Sequence, residues 1–300
     1  AVRIAAGAGR LGWNPCRRAA LRLRGNAAYT PSWSASVLDD VALNRPWNLV
    51  FRALRTVIAI RTHLPGRIGI RPGVTVVIVN WNGGTLLPEV ISAIERYSPD
   101  RPEVIVVDNA SSDGSRVWLR AQRGRLRPIL LPRNLYHGAG MDLGFLLSGS
   151  EYVVALDLDA FPIRGDWLEV LQAPLRRGAT VSGARAQRDY AHPCCLMMRL
   201  DRFVAQRHTF QPHVGDWRPE RLGVEEWDTG ESISRREGDD HLALLSRTHF
   251  RGPGHLGSVF GDVVFHNGAS VRLLAGDRVE GIEMTDVQAS WNEAVNRYVR

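Results

Sequence analysis

The stretch VVALDLDAFP (153–162) ends an apolar run with two carboxylates, Asp157 and Asp159, one residue apart. Burying an ionised carboxylate without a partner is costly, so a pair at the end of a core strand must face something. Two hard oxygen donors with open positions suit Mg2+ or Mn2+, which complete their shells with phosphate oxygens. Asp108 follows another buried-type run, EVIVVD, where it can accept from a base N–H or from ribose hydroxyls. An Asp-x-Asp alone is weak evidence: it also reads as a loop pair capping the next segment, so its context must carry the inference.

That context is a repeated strand–helix alternation. VTVVIVN (74–80), EVIVVDN (103–109), PILLP (128–132) and EYVVALDLD (151–159) are apolar, β-branched runs of the kind buried on both sheet faces. Between the first two, Leu86, Leu87, Val90, Ile91 and Ile94 share one helical face. SSDGSRVWLRAQ reads as a loop entering a helix, with Asp113 as a candidate N-cap. HGAGMDLGFLLSG reads as a helix opening on small residues. Strands alternating with helices imply a mostly parallel sheet whose ligands gather at the strands' carboxyl ends. Those ends carry Asn80-Trp81-Asn82, Asp108-Asn109 and Asp157-Leu158-Asp159, which points to one site. Further on, a helix is expected over 165–177, strands over 179–186 and 192–200, and a helix from Asp201. A strand over 258–272 with a polar exit at His266 follows, then a terminal helix capped by Thr285 or Asp286.

Residues 1–73 differ in composition. Trp47, Val50, Phe51, Leu54, Val57 and Ile58 recur at helical spacing between arginines, so an amphipathic helix over about 46–64 is expected, lying on a membrane or packed on the main domain or a second subunit. The net charge is +7 and every basic side chain is arginine, spread along the chain rather than clustered, so no nucleic-acid partner is expected. The three cysteines have no metal-binding or disulfide spacing and suit a reducing compartment. There is no signal-peptide layout, and no run of roughly 18 apolar residues for a membrane span. A cytoplasmic protein is expected, with membrane association at the inner face, or homo-oligomerisation, through residues 1–73.

Taken together, VVIVNWNGG, VVDNASSDGS, RNLYHGAGMDLGF and ALDLDAFP resemble, in order and spacing, the successive motifs of family 2 glycosyltransferases with the GT-A fold. The resemblance covers residues 74–165 well and 166–275 more loosely. It implies an α/β, Rossmann-like GT-A domain: a mostly parallel central sheet flanked by helices, with a helical N-terminal extension. The catalytic domain would span 74–284, with a nucleotide-sugar half (74–160) and an acceptor half (161–284), followed by a separate C-terminal helix (285–300). The donor would be a nucleoside-diphosphate sugar and the acceptor a hydroxyl on a glycan, lipid-linked glycan or secondary metabolite. Val79, Asn80, Trp81 and Asp108 would hold the base; Asn134, Gly138 and Asp157 would lie along the rest of the donor. Asp159 would be the principal ligand of Mn2+ or Mg2+, with His266 completing the shell unless it is an ordinary strand-end histidine. The resemblance also implies inversion and a general base at the start of an acceptor-side helix. Asp228 is the first candidate, with Glu231, Asp239 and Asp240 behind it, although Asp228 and Glu231 also read as a capping box.

Two departures from the family pattern stand out. Tyr136 occupies the usual glycine of an Asn-x-Gly opening, and Asp142 replaces a later asparagine. The NWNG and DNASSDGS forms resemble the rhamnosyltransferase-like branch, which favours uridine or thymidine diphosphate donors. Two other readings remain: a nucleotidyltransferase acting on sugar phosphates, which the lack of a basic loop in NWNGGTLL disfavours, and a non-catalytic GT-A-like binding protein.

Overall fold

The structure, a computed structural model, describes residues 49–54, 56, 57, 60, 70–211, 227–251, 256–268, 270 and 282–300. Its centre is a seven-stranded sheet of β1 (Arg71–Asn80), β2 (Glu103–Asp108), β3 (Arg127–Leu130), β4 (Ser150–Leu156), β6 (Val181–Arg185), β7 (Ala191–Arg199) and β8 (Leu242–Leu245). The order is β3-β2-β1-β4-β7-β6-β8. Only β7 runs against its neighbours. The chain builds outward from β1 through β2 to β3, then returns to the other side of β1 for β4. That reversal opens a crevice at the strands' carboxyl ends, where such sheets bind ligands.

Each strand feeds two cores because alternate residues point to opposite faces. Val76, Ile78, Val104, Val106, Val154 and Leu156 join one apolar cluster, while Val77, Val79, Ile105, Val107, Val153 and Ala155 join the other. The first is covered by α1 (Leu87–Tyr97), α2 (Ser115–Ala121), α4 (Trp167–Arg176) and α7 (Met284–Tyr298); the second by α3 (Tyr136–Leu147), α5 (Leu200–Ala205) and α6 (Glu231–Glu237). A Cβ on Gly144 would lie 2.1 Å from Val77 Cγ1, so the small residues of α3 let that helix press onto β1.

A second, antiparallel sheet of β5 (Ala160–Pro162), β9 (Arg247–Arg251), β10 (Gly257–Phe260) and β11 (Val264–Asn267) lies in the order β5-β11-β10-β9. It corrects the expected single strand over 258–272. Gly261 and Asp262 both take positive φ, 54° and 56°, and fold the segment into a hairpin. The expected strand 151–159 also stops early, at Leu156, and a turn closed by Ala160 N–H onto the Asp157 carbonyl (3.0 Å) carries both aspartates. The terminal helix begins at Met284 after Glu283, so Thr285 and Asp286 sit inside its first turn rather than capping it.

Of the expected helix over 46–64, residues 49–54, 56, 57 and 60 are described and helical; the rest, like residues 1–48, lie outside the described residues. Phe51 and Leu54 pack on the α3-side core, whereas Leu49, Val50, Val57 and Ile60 are exposed. Among the described residues no helix is long and apolar enough to cross a membrane.

Candidate active site

β11 brings the late histidine to the aspartate turn. In the β5–β11 pair His266 stands opposite Ala160, one residue past Asp159, and the Asn267 N–H donates to the Asp159 carbonyl at 2.8 Å. His266 Nε2 therefore lies 3.4 Å from Asp159 Oδ1. One ligand atom from each of Asp157, Asp159 and His266 falls within 4.8 Å of the others. A single cation about 2.1–2.5 Å from each atom fits that spread. Asp157 Oδ1 is buried, and among the described residues its nearest cationic neighbour is the His137 imidazole.

Two histidines absent from the expected site flank Asp157. His137, in the first turn of α3, places Nε2 3.0 Å from Asp157 Oδ1 without lining up as a hydrogen bond, and His192 Nδ1 lies 4.0 Å from Oδ2. His192 arrives through β7, which pairs Leu156 with Cys195 and carries His192 past the end of β4. Its Nδ1 accepts the Cys194 N–H at 3.0 Å, and its ring centroid is 5.5 Å from that of His266. Cys194 and Cys195 are fully buried, as core packing predicts, but the Cys194 thiol also touches His192 and His266.

These neighbours set the site's protonation. Burial works against the Asp157 carboxylate, yet His137 and then His192 and His266 lower its pKa to about 2. Burial also disfavours the His137 imidazolium, but Asp157 and then Asp159 outweigh it and raise its pKa. His266 is raised further: burial opposes protonation, and Cys194 followed by Asp159 overcomes it.

The base-side residues are joined to one another by hydrogen bonds. Asp108 is fully buried at the end of β2. It accepts from Asn80 Nδ2 (2.8 Å), the Ser111 N–H (3.2 Å) and Arg116 Nη1 (2.7 Å). Asn80, also fully buried, leaves Oδ1 without a donor among the described residues. Val79 faces Gly140 inside the core, and Trp81 is the partly exposed member of the trio. Ser111 Oγ accepts the Asn82 N–H and Asp113 accepts those of Gly84 and Ser115, so the loops after β1 and β2 are tied into one wall. Asp113 does serve the start of α2, although Gly114 is the residue at the cap. Asn134 Oδ1 accepts the Tyr136 N–H at 2.7 Å and shapes the turn into α3. Gly138 is buried beneath backbone: a Cβ there would sit 2.6 Å from the Phe210 carbonyl oxygen.

The four base candidates separate sharply. Asp228 is exposed, accepts the Tyr190 hydroxyl at 2.8 Å, and stands just before α6. Tyr190 packs 6.2 Å from the His192 ring, which links Asp228 to the aspartate end of the sheet. Glu231 is 1% exposed and held by Arg188 and Arg235; it accepts the Asp228 N–H at 3.0 Å, the return half of a capping box. Asp239 and Asp240 precede β8, whose first residue pairs in parallel with Val181, the first of β6. They therefore lie at the amino end of the sheet, opposite Asp157.

A family model described as "Glycosyl transferase family 2" matches residues 75–193, less than half of the chain. No curated protein matches significantly. Similar solved structures include S. aureus TarS 1-349 in complex with UDP-GlcNAc, at 15% identity over 46% of this chain and 48% of that one, with a TM-score of 0.39. Mannosyltransferase PcManGT from Pyrobaculum calidifontis in complex with GDP-Man and Mn2+ is 17% identical over 70% and 66%, with a TM-score of 0.42. Glucosyl-3-phosphoglycerate synthase from Mycobacterium tuberculosis, in complex with Mn2+, uridine-diphosphate and glucosyl-3-phosphoglycerate, is 18% identical over 61% and 75%, with a TM-score of 0.41. The chain spans about half the length of the first of these. The family match runs from β1 into β7, so the stretch similar to family 2 glycosyltransferases holds Asp108, His137, Asp157, Asp159 and His192, while Asp228 and His266 lie beyond it.

Proposed function

We propose that this protein is a metal-dependent, inverting glycosyltransferase that moves a sugar from a nucleoside-diphosphate donor, uridine or thymidine diphosphate favoured, to a hydroxyl acceptor. The observation that carries the reading is the convergence of Asp157, Asp159 and His266 at the carboxyl end of a sheet whose residues 75–193 match the family model. Two carboxylates and an imidazole suit Mn2+, and Mg2+ with more of its shell left to phosphate and water. A cation held by Asp159 and His266 would neutralise the diphosphate as it departs.

The chain's own residues do the rest. The wall built by Asn80, Asp108 and Ser111 shapes the base end, with Trp81 as its partly exposed face. His137 and His192 hold Asp157 ionised beside the diphosphate. Asp228 takes the acceptor hydroxyl proton as that oxygen bonds to the anomeric carbon and the bond to the diphosphate breaks on the opposite face. Tyr190 orients the Asp228 carboxylate through its hydroxyl.

The test is calorimetric titration of UDP and dTDP with Mn2+, paired with nucleotide release from UDP-glucose, UDP-N-acetylglucosamine and dTDP-rhamnose. Asp159→Ala abolishes both metal-dependent binding and release, whereas Asp228→Asn keeps binding and loses release. Full release by Asp159→Ala in EDTA sinks the proposal.

A further inference from the structure

Asp142, the residue that departs from the family asparagine, has a role that the donor chemistry does not use. It is 1% exposed on α3 and accepts three hydrogen bonds from one short segment: Thr209 Oγ1 at 2.5 Å, the Phe210 N–H at 2.8 Å and Gln211 Nε2 at 3.2 Å. One turn earlier on the same helix, Gly138 meets that segment's backbone, where any Cβ would lie 2.6 Å from the Phe210 oxygen and 2.8 Å from Gln211 Cα. The other side of the segment is fixed to the start of α6. The Gly230 N–H donates to the Phe210 carbonyl at 3.0 Å, Ser232 Oγ donates to the Thr209 carbonyl at 3.1 Å, and the Phe210 ring lies 3.1 Å from a Cβ built on Gly230. Gly230 is two residues past Asp228 and holds φ at +76°.

Residues 209–211 are thus a spacer between two helices. On one side α3 presents His137 to Asp157; on the other α6 begins just after Asp228. We infer that Asp142 is a positioning residue: through Phe210 and Gly230 it sets where Asp228 stands relative to the donor side of the site. A carboxylate suits the task because both its oxygens accept, and the segment offers three donors from three consecutive residues. The inference rests on Asp228 being the base.

Wild type, Asp142→Ala, Asp142→Asn, Thr209→Val and Asp228→Asn are compared for UDP affinity with Mn2+ and for nucleotide release from the best of the three donor sugars. Misplacing the base by about an ångström should lower kcat for Asp142→Ala roughly 10- to 100-fold, with UDP affinity within about twofold. Asp142→Asn keeps an oxygen for the Phe210 N–H and restores most of kcat. Thr209→Val removes one donor, together with the acceptor of the Gln211 N–H at 3.2 Å, without opening a cavity and gives a smaller loss of the same kind, which decides the matter if Asp142→Ala fails to fold. Equal loss of UDP affinity and kcat, no rescue by asparagine, or full kcat in Asp142→Ala overturns the inference. If Asp228→Asn releases nucleotide at the wild-type rate, the base assignment has failed. If Asp228→Asn is inactive while Asp142→Ala is fully active, only the positioning role has.

Discussion

Replacing Asp108 separates a ligand contact from a structural hub. Three donors converge on its carboxylate: the Ser111 N–H and Arg116 on Oδ1, Asn80 Nδ2 on Oδ2. In Asp108→Asn the remaining oxygen can keep the first two. The new amide then faces Asn80, whose own amide can turn over to offer Oδ1, the atom that has no donor among the described residues. Ser111 Oγ can donate to the turned amide instead of accepting from it. What is lost is the charge on the bond from Arg116, which is 24% exposed and also bonded to the Leu131 carbonyl, so the cost is about 1 kcal/mol. Asp108→Ala instead strands the buried Ser111 N–H and leaves Asn80 and Arg116 one acceptor short, about 3 kcal/mol in all. For a chain of this size these become Tm losses of roughly 2–4 °C and 6–12 °C in a thermal melt. UDP affinity in Mn2+, by calorimetry, should stay within a few-fold of wild type for Asp108→Asn. An unchanged Tm with affinity down about 100-fold or more would mean that Asp108 meets the base directly, and the hub argument would be wrong.

Two further outcomes follow from the same geometry. Tyr136 holds φ at +64° where a glycine would be unstrained, so Tyr136→Gly raises stability by about 0.5 kcal/mol in urea unfolding; a loss would show that contacts of the ring outweigh the backbone strain. The Asp157–His137 pair makes stability depend on pH. The depressed carboxylate contributes above its unfolded pKa of about 4, and the raised imidazole contributes fully below about 6.5, then loses its contribution as pH climbs through its folded value. The metal-free protein should therefore exceed Asp157→Asn in stability most between about pH 4 and 6.5, with the margin shrinking at higher pH. In NMR titrations the His137 pKa should fall in that variant. A margin that grows with pH, or an unmoved His137, contradicts the pairing.

Much of the fold could be read from continuous apolar runs. Strands buried on both faces show nearly continuous Val, Ile and Leu, as 74–80 and 103–108 do, and the polar residues after them mark the crevice. The small sheet was not legible in the same way. RTHFR (247–251) gives little apolar signal, and the hairpin turn is Gly261-Asp262, in the reverse order of the usual Asp-Gly signal. The aspartate turn was hidden because LDLD continues the apolar alternation past Leu156, whereas the strand gives way to a turn closed by the Ala160 N–H on the Asp157 carbonyl and tied across to β11 by the Asn267 N–H on the Asp159 carbonyl.

What surrounds each aspartate was not legible in the sequence. Asp157 and Asp159 look equivalent in sequence, and a resemblance can rank them but cannot say what holds them apart. In the structure they face different strands. Asp159 looks toward β11 and His266, a contact made by antiparallel pairing across 107 residues (266 minus 159), which no local spacing announces. Asp157 looks toward His137, from the start of a helix, and His192, from a strand running the opposite way. Neither histidine stands in a metal-binding spacing, and each alone would pass for a helix-start or strand-start residue. His137 first, and then His192, offset the burial that disfavours the Asp157 carboxylate. The two carboxylates therefore differ in their surroundings rather than in their chemistry: Asp157 is flanked by His137 and His192, and Asp159 stands opposite His266.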